Sequence, residues 1–198
     1  MKTWTRWGFF MVAVGALVLA ACAPQMSLHP WYSEKELVVE PGFAGNWLLL
    51  DNDNKTDDSQ PWTFAQDLTK GYTISFEDSE QPGVRESWEV RLFRANGQLY
   101  ADVTQLTSKF KGTDLAENFI PGHMVATVKL DGDKVSMRFL DDEWTTKALK
   151  ANAALIKHEM VENSAVLTAS TQELRDFALA HSGDDKAFSV NFNFVRKK

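Results

Sequence analysis

Apolar and polar side chains alternate along most of the chain after residue 42, and this period of two is the pattern of half-buried β-strands. The alternation is divided into about eight or nine short runs, each bounded by residues that favour turns. The runs predicted to form strands are 43–50, 72–77, 88–93, 99–103, 124–130, 135–139, 156–160, 165–167 and 188–194.

The connections between several runs are short and indicate hairpins. Both residues of Asn96-Gly97 tolerate positive φ, so this pair predicts a two-residue turn between the runs 88–93 and 99–103. Asp131-Gly132 and Asn163-Ser164 predict two further hairpins. Consecutive strands are therefore expected to pair as antiparallel neighbours.

Two short helices are predicted in the carboxy-terminal half. Asp141-Asp142 offers an N-cap to a helix over residues 143–154, in which apolar side chains lie on one stripe. Ser170 and Glu173 form a Ser-x-x-Glu capping box, which predicts a helix over residues 171–181.

Many strands joined by tight turns favour an antiparallel meander over a parallel sheet with crossover helices. Closing such a sheet into a barrel removes its edges, and about eight strands enclose room for packed side chains or for one small ligand. We therefore predict a mainly β fold for residues 42–198, a single domain in which a meander of about 8–9 strands closes into a barrel. An open barrel or a β-sandwich is the alternative, and the stretch 107–121 is interpreted as a short helix or a loop over the sheet.

The first 21 residues have a different pattern. Lys2 and Arg6 precede an apolar run from Trp7 to Ala20. A basic head followed by a short apolar segment is typical of an export signal, whereas a membrane-spanning helix needs about 20 apolar residues. Residues 1–21 are therefore predicted to be a signal peptide.

The end of this segment, Leu19-Ala20-Ala21-Cys22, resembles the lipobox of bacterial lipoproteins, and Cys22 is the only cysteine of the chain. The resemblance implies cleavage before Cys22, a diacylglycerol thioether on its sulfur, and an acyl chain such as palmitate on the new amino terminus. Ala23, in place of an aspartate, implies sorting to the outer membrane on the side that faces the periplasm. The predicted location is thus the bacterial cell envelope, with the membrane as partner through the lipid anchor.

Residues 22–41 contain three of the six prolines of the chain and show little periodicity, so they are predicted to form a lipidated tether or a first loop. Pro30-Trp31-Tyr32 is a segment that could dock on the domain instead.

Charge restricts the possible partners. Residues 1–21 contain Lys2 and Arg6 and no acid, so their removal changes the formal net charge from −6 to −8. An acidic protein without a basic cluster is a poor ligand for nucleic acid, which is bound mainly through Lys and Arg on phosphates. Charge also does not favour anionic lipid, so the acyl chains are expected to hold the protein at the membrane. The lone cysteine excludes an internal disulfide.

Gly45-Asn46-Trp47 on the first strand resembles the Gly-x-Trp motif of lipocalins, in which the tryptophan closes one end of the barrel. The order of a helix followed by a final strand, residues 171–181 and then 188–195, is similar to lipocalins as well. In that family an arginine late in the barrel stacks on the tryptophan, and Arg196 is the available candidate. The helix over 143–154 and the lack of a Thr-Asp-Tyr turn depart from the family pattern. The chain also resembles a set of small bacterial lipoproteins with a similar carboxy-terminal helix, which implies no chemistry.

These observations predict a lipoprotein that binds a small hydrophobic molecule in a barrel pocket without catalysis. The side chains predicted to line the pocket are Trp47, Tyr72, Trp88, Phe139, His158 and Phe192. His158 is the titratable member of this set, because the alternation places it between Ile156 and Met160. The alternative for the aromatic members is that they fill the core.

Signals for catalysis and for metal binding are weak. The chain has no Gly-x-Ser-x-Gly elbow and no phosphate-binding glycine loop, and its histidines lack ligand spacing, so no catalytic residue, metal or cofactor is predicted. His158 with Glu162 is the alternative acid–base pair of an enzyme. The run Asp51–Asp58 begins like a calcium loop, but it lacks the glycine and the closing glutamate, so a solvated loop is expected.

A different class of function, an accessory subunit of an envelope protein complex, would use surface aromatic residues for contact. The aromatic residues expected to form such an exposed patch are Trp31, Tyr32, Trp62 and Trp144.

Overall fold

The structure is a computed structural model that describes residues 23–56, 58–77, 85–105 and 120–198. Eleven strands occur in these ranges: β1 Met26–Ser27, β2 Gly45–Leu50, β3 Trp62–Gln66, β4 Tyr72–Glu77, β5 Arg85–Ala95, β6 Gln98–Gln105, β7 His123–Asp131, β8 Lys134–Phe139, β9 His158–Val161, β10 Ser164–Leu167 and β11 Val190–Arg196. The helices are α1 Asp142–Ala151 and α2 Thr171–His181, with a 3₁₀ turn at Glu34–Glu36. The predicted signal peptide, Cys22 and most of the stretch 107–121 lie outside the described residues.

Eight strands close into an antiparallel barrel. The pairing runs β2-β3-β4-β5-β6-β7-β8-β11 and returns from β11 to β2. Closure satisfies the backbone groups that an open sheet would leave at its edges. The predicted mainly β fold with a meander that closes into a barrel and two short helices late in the chain is therefore confirmed.

The alternation within each strand separates two apolar cores, one on each side of the barrel wall. The inner core fills the barrel. The outer core lies between the wall and the helices and includes Tyr100 of β6, Leu149 of α1 and Phe177 of α2. Phe188 was expected to continue the inward face of the last strand, but it precedes β11 and packs in this outer core. The apolar stripe predicted for the first helix was wrong: Ala151 and Leu155 of that stripe are exposed, and α1 covers the wall with Thr145, Thr146 and Leu149 instead.

Large aromatic rings close one end of the barrel. Phe43 lies with its ring centroid 5.0 Å from Phe64 and 4.9 Å from Tyr72, and Trp47 lies 5.9 Å from Phe64. The Tyr72 hydroxyl donates to the carbonyl of Glu40 (3.0 Å) and accepts from its N–H (2.8 Å), which fixes the chain that crosses this end. We call it the closed end.

Arg196 completes the closed end, as predicted. Its guanidinium lies 4.2 Å from the centroid of the Trp47 ring and donates to the carbonyls of Gly42 (2.9 Å) and Ala44 (3.2 Å). A Cβ at Gly45, where φ is +146°, would stand 2.3 Å from Nη1 of Arg196. The glycine of the Gly-x-Trp motif therefore leaves room for the arginine to lie against the backbone.

Local signals for turns and helices were mostly accurate. The hairpin at Asn96-Gly97 is confirmed, with φ of 50° and 79°. The helix α2 begins with the predicted capping box, whereas α1 is capped by Asp141 but ends at Ala151, before the predicted limit. The last hairpin turns at Glu162 and Asn163, one residue earlier than predicted, because Glu162 takes the positive φ of 54°.

The segment before the barrel is packed onto it. Trp31 is 0% exposed within the outer core, and Leu37 bridges to Phe93 of β5. Of the two interpretations of this segment, the docked one describes it, because a free tether would leave these side chains in water. For the expected aromatic patch, the exposure of Trp31 was wrong, because Trp31 is buried by this docking. Tyr32, Trp62 and Trp144 are partly exposed and pack against the two cores.

β1 extends the sheet beyond the barrel. β7 pairs with β8 from Ala126 to Asp131, but at Met124 and His123 its partner is β1. The other edge of β1 pairs in parallel with β10, and β10 pairs with β9. At this corner the hydrogen-bonded sheet therefore continues outside the barrel as a three-strand extension, formed by β1, β10 and β9.

We expect Arg196→Ala to lower the free energy of unfolding by about 1–3 kcal/mol, because it removes a cation–π contact and two hydrogen bonds to carbonyls that lie at the closed end. Urea denaturation of residues 23–198 measures the change. Lys198→Ala, at an exposed position two residues away, is the matched control. Equal stability of the two variants would show that Arg196 does not hold the closed end together.

Candidate functional site

An apolar cavity of about 180 Å³ lies inside the barrel at the end opposite Trp47. This is the open end, where β2, β4, β6 and β8 finish and β3, β5, β7 and β11 begin. The cavity is lined by Pro24, Trp62, Ile74, Trp88, Val103, Met124, Met137, Phe139, Phe192 and Phe194.

Strand alternation explains why these side chains meet. Ile74 pairs with Trp88 across β4 and β5, and Val103 pairs with Met124 across β6 and β7, so each pair projects to the same face of the sheet. In a closed barrel that face is the interior. The cavity is thus the part of the barrel that the rings of the closed end do not fill.

Three aromatic rings form a stack on one side of the open end. Trp62 lies 4.0 Å from Phe76 and 6.1 Å from Trp88, at interplanar angles of 30° and 12°. The three residues occupy adjacent strands β3, β4 and β5, and Phe194, which also lines the cavity, lies 5.3 Å from Trp62. Each aromatic pair contributes about 0.5–1.5 kcal/mol beyond its buried area, so these contacts stabilise one side of the open end.

Among the described residues, the lining carries no charged side chain and no hydroxyl, and its hydrogen-bonding side-chain groups are the indoles of Trp62 and Trp88. A cavity of roughly 150 Å³ lined by apolar side chains stays dry and accepts benzene. The site is therefore suited to an apolar group about the size of one ring or a short alkyl segment.

A more polar depression adjoins the open end and shares Trp62 and Phe76 with the aromatic stack. Asp51 lies in it, but its Oδ1 accepts the N–H groups of Asp53 (2.9 Å) and Lys55 (2.8 Å), which shapes the loop. Asp57 lies outside the described residues. Within the described ranges no group of three or more His, Cys, Asp or Glu side chains is arranged to hold a metal ion.

The predicted aromatic ligand residues fall into two groups. Trp88, Phe139 and Phe192 line the cavity. Trp47 and Tyr72 point into the barrel but are fully buried in the closed end. Whether any of them contacts a ligand stays a prediction.

The prediction that His158 faces the barrel interior was wrong. β9 pairs only with β10 in the extension, outside the barrel, and Nδ1 of His158 lies 2.9 Å from the carbonyl of Ile156. The alternation there reflects a hairpin with one face on the outer core, which a single sequence does not distinguish from a barrel strand.

Sequence reasoning missed other lining residues. Ile74, Val103, Met124, Met137 and Phe194 lie on the inward faces that the alternation had identified, so that signal was available. The alternation did not distinguish the inward positions at the open end from those at the closed end. Trp62 and Pro24 had no such signal, because they depend on a strand that was not predicted and on the docking of the amino-terminal segment.

A buried ionic pair on the outer wall was also missed. Asp102 of β6 is 2% exposed; its Oδ2 accepts the Trp31 N–H (2.8 Å), and its Oδ1 lies 2.8 Å from Nδ1 of His123. Burial lowers the pKa of His123, but the hydrogen bond and charge of Asp102, with Glu89, outweigh it, so the pKa of His123 is raised above 6.5. The pair therefore fastens the amino-terminal segment to the wall.

No helix among the described residues is long and apolar enough to cross a bilayer.

The His123–Asp102 pair predicts a pH dependence. A base whose pKa is raised on folding stabilises the fold fully below its unfolded pKa, and this stabilisation is lost as the pH rises through the folded pKa. We expect the stability difference between the native protein and His123→Gln to be largest below pH 6.5 and to shrink above it. Urea denaturation across this range measures the difference, and comparison of two proteins cancels the opposite effect of His181, whose pKa burial lowers.

His29→Gln, at an exposed histidine of the same segment, is the control and should give a difference that does not change in this way. A pH-independent difference for His123→Gln would contradict the coupling.

Comparison of the chain with protein-family models, with curated proteins and with solved structures found no match.

Proposed function

We propose that this protein is a lipid-anchored envelope protein that binds a small hydrophobic molecule, non-catalytically, in the cavity at the open end of its barrel. The observation that carries the proposal is an unfilled, apolar and aromatic-lined cavity of about 180 Å³ inside a closed barrel. Small barrels of about eight strands either fill themselves or hold one small ligand, and this one is filled at one end and has room for a ligand at the other.

The likeness to lipocalins supports the same function. Gly45, Trp47 and Arg196 stand in the arrangement that the resemblance implied, at the end of the barrel away from the cavity. In such a barrel a ligand is reached from the end that the tryptophan does not close.

The size of the cavity sets the expected affinity. Burial of roughly 200 Å² of apolar ligand surface at about 25 cal/mol per Å² contributes about 5 kcal/mol. Before the cost of association, this corresponds to a dissociation constant of about 0.1–1 mM. A ligand whose chain continues beyond the cavity would bind more tightly in proportion to the further area that it buries.

Filling the cavity should abolish binding. We expect Val103→Phe in residues 23–198 to reduce the affinity for medium-chain fatty acids at least tenfold, because the ring occupies the space that the alkyl chain needs. Isothermal titration calorimetry measures the affinity, and native mass spectrometry with envelope lipid extract identifies a natural ligand. Val39→Phe, which adds the same ring at an exposed valine, is the matched control and should bind normally.

Failure of the native protein to bind any component of the extract or any fatty acid of the series would refute the carrier function. Binding that Val103→Phe leaves unchanged would place the ligand elsewhere.

The anchor has a separate test. Mass spectrometry of the full chain expressed in a bacterium should give a mature protein that begins at Cys22 and carries a diacylglycerol and an amino-terminal acyl chain. Cys22→Ser should lose this mass and should no longer sediment with the membrane fraction. A mature chain without added mass would refute the anchor and leave the cavity unaffected.

A further inference from the structure

The inner surface of the barrel continues onto the outside of the molecule at the corner where β1 joins β7. Val103 pairs with Met124, Met124 with Met26, and Met26 with Val166, across four successive strands β6, β7, β1 and β10. Cross-strand partners project to the same face of a sheet. Val103 and Met124 line the cavity, so the apolar row that starts in the cavity ends on the extension.

Several apolar side chains are exposed at this corner, and the exposed polar side chains on the same face are Ser164 and, opposite Val166, Glu159. Met26 is 45% exposed, Leu28 41%, Val161 56% and Ile120 70%. Val161 pairs with Ser164, two residues before Val166, so the alternation keeps Val161 on the face of Met26 and Val166. Leu28 follows β1 directly and stays beside it, because its N–H donates to the carbonyl of Leu167 (2.9 Å). Met26 also lies against Gly122, two residues after Ile120. We call Met26, Leu28, Ile120, Val161 and Val166 the β1 surface.

The first described residues of the chain lie beside this surface. Pro24 lines the cavity, and the Ala23 carbonyl accepts the N–H of Asp142 (3.0 Å). Consecutive Cα atoms are 3.8 Å apart, so Cys22 is at most about 7.6 Å from Pro24. The predicted acyl chains therefore start two residues before Pro24 at the cavity and four residues before Met26 on the β1 surface.

We propose that the β1 surface rests on the bilayer in which the acyl chains of Cys22 are embedded, so that a hydrophobic ligand passes between bilayer and cavity along this face. The proposal deepens the proposed function and depends on the lipidation of Cys22. A short anchor brings the bilayer to the apolar face, and the contact needs no basic residues, in agreement with the acidic net charge. The ligand class is then a bilayer-resident molecule with an alkyl chain, which reaches the cavity without crossing water.

Two exposed leucines at opposite ends of the molecule allow a matched test. Leu28 belongs to the β1 surface, and Leu68 is fully exposed in the turn between β3 and β4 at the closed end. Because Cys22 carries the lipid, Leu28→Cys and Leu68→Cys each create one free thiol in the lipidated full chain. Each thiol is labelled with an environment-sensitive nitrobenzoxadiazole dye, and the protein is reconstituted into phosphatidylcholine vesicles.

The label at position 28 should brighten several-fold and shift to the blue on reconstitution, and lipids with a nitroxide on the acyl chain should quench it. The label at position 68 should do neither, and the difference should persist in high salt because the contact is apolar. Equal, water-like emission at both positions would overturn the proposal and show a barrel held away from the bilayer. If the label at position 28 brightens without vesicles as the protein concentration rises, the proposal is overturned. The β1 surface would then contact a second copy of the chain instead of the bilayer.

These outcomes are separable from those of the proposed function. Ligand binding by residues 23–198 is measured without an anchor, and the anchor is measured by mass. A protein that binds ligand and carries lipid but leaves Leu28 in water would refute only the membrane contact.

Discussion

The closure of eight strands into one hydrogen-bonded ring is the constraint on which the rest of the structure depends. A ring of this size has a fixed interior, and the inward side chains must fill it or leave a void. At one end Phe43, Trp47, Phe64 and Tyr72 fill it completely. At the other end the inward residues surround a space that they do not occupy, because the stacked rings of Trp62, Phe76 and Trp88 stand against one wall.

The outer core explains why the molecule needs more than a barrel. The wall is apolar on both sides between β5 and β7, so it must be covered from outside as well. Helices α1 and α2 and the amino-terminal segment provide this cover. Trp31 packs into the outer core, and its backbone N–H donates a hydrogen bond to Asp102. The Asp102 carboxylate therefore binds both the amino-terminal segment and His123.

Period-two alternation was sufficient to predict most strands of the barrel, because it follows directly from the burial of one face of each strand. The capping box at Ser170 and the Asn96-Gly97 turn were equally clear, since each depends on residues close in sequence. The failures involve distant contacts. His158 alternates as barrel residues do, and only the pairing of β9 with β10 shows that it lies outside. Asp102 and His123 are 21 positions apart, and Pro24 reaches the cavity only after its segment has docked, so neither site has a local signature.

The bond from the Trp31 N–H to Asp102 has a mechanical consequence. A lipoprotein on a long, loose leader tumbles freely above its membrane, and every orientation of its binding pocket is sampled. Here the amino-terminal segment is fixed to the barrel wall at Trp31, paired through β1, and bridged at Pro24 to Asp141. A lipid on Cys22, as proposed, would therefore pull directly on the β-sheet, and the barrel would rotate together with its point of attachment.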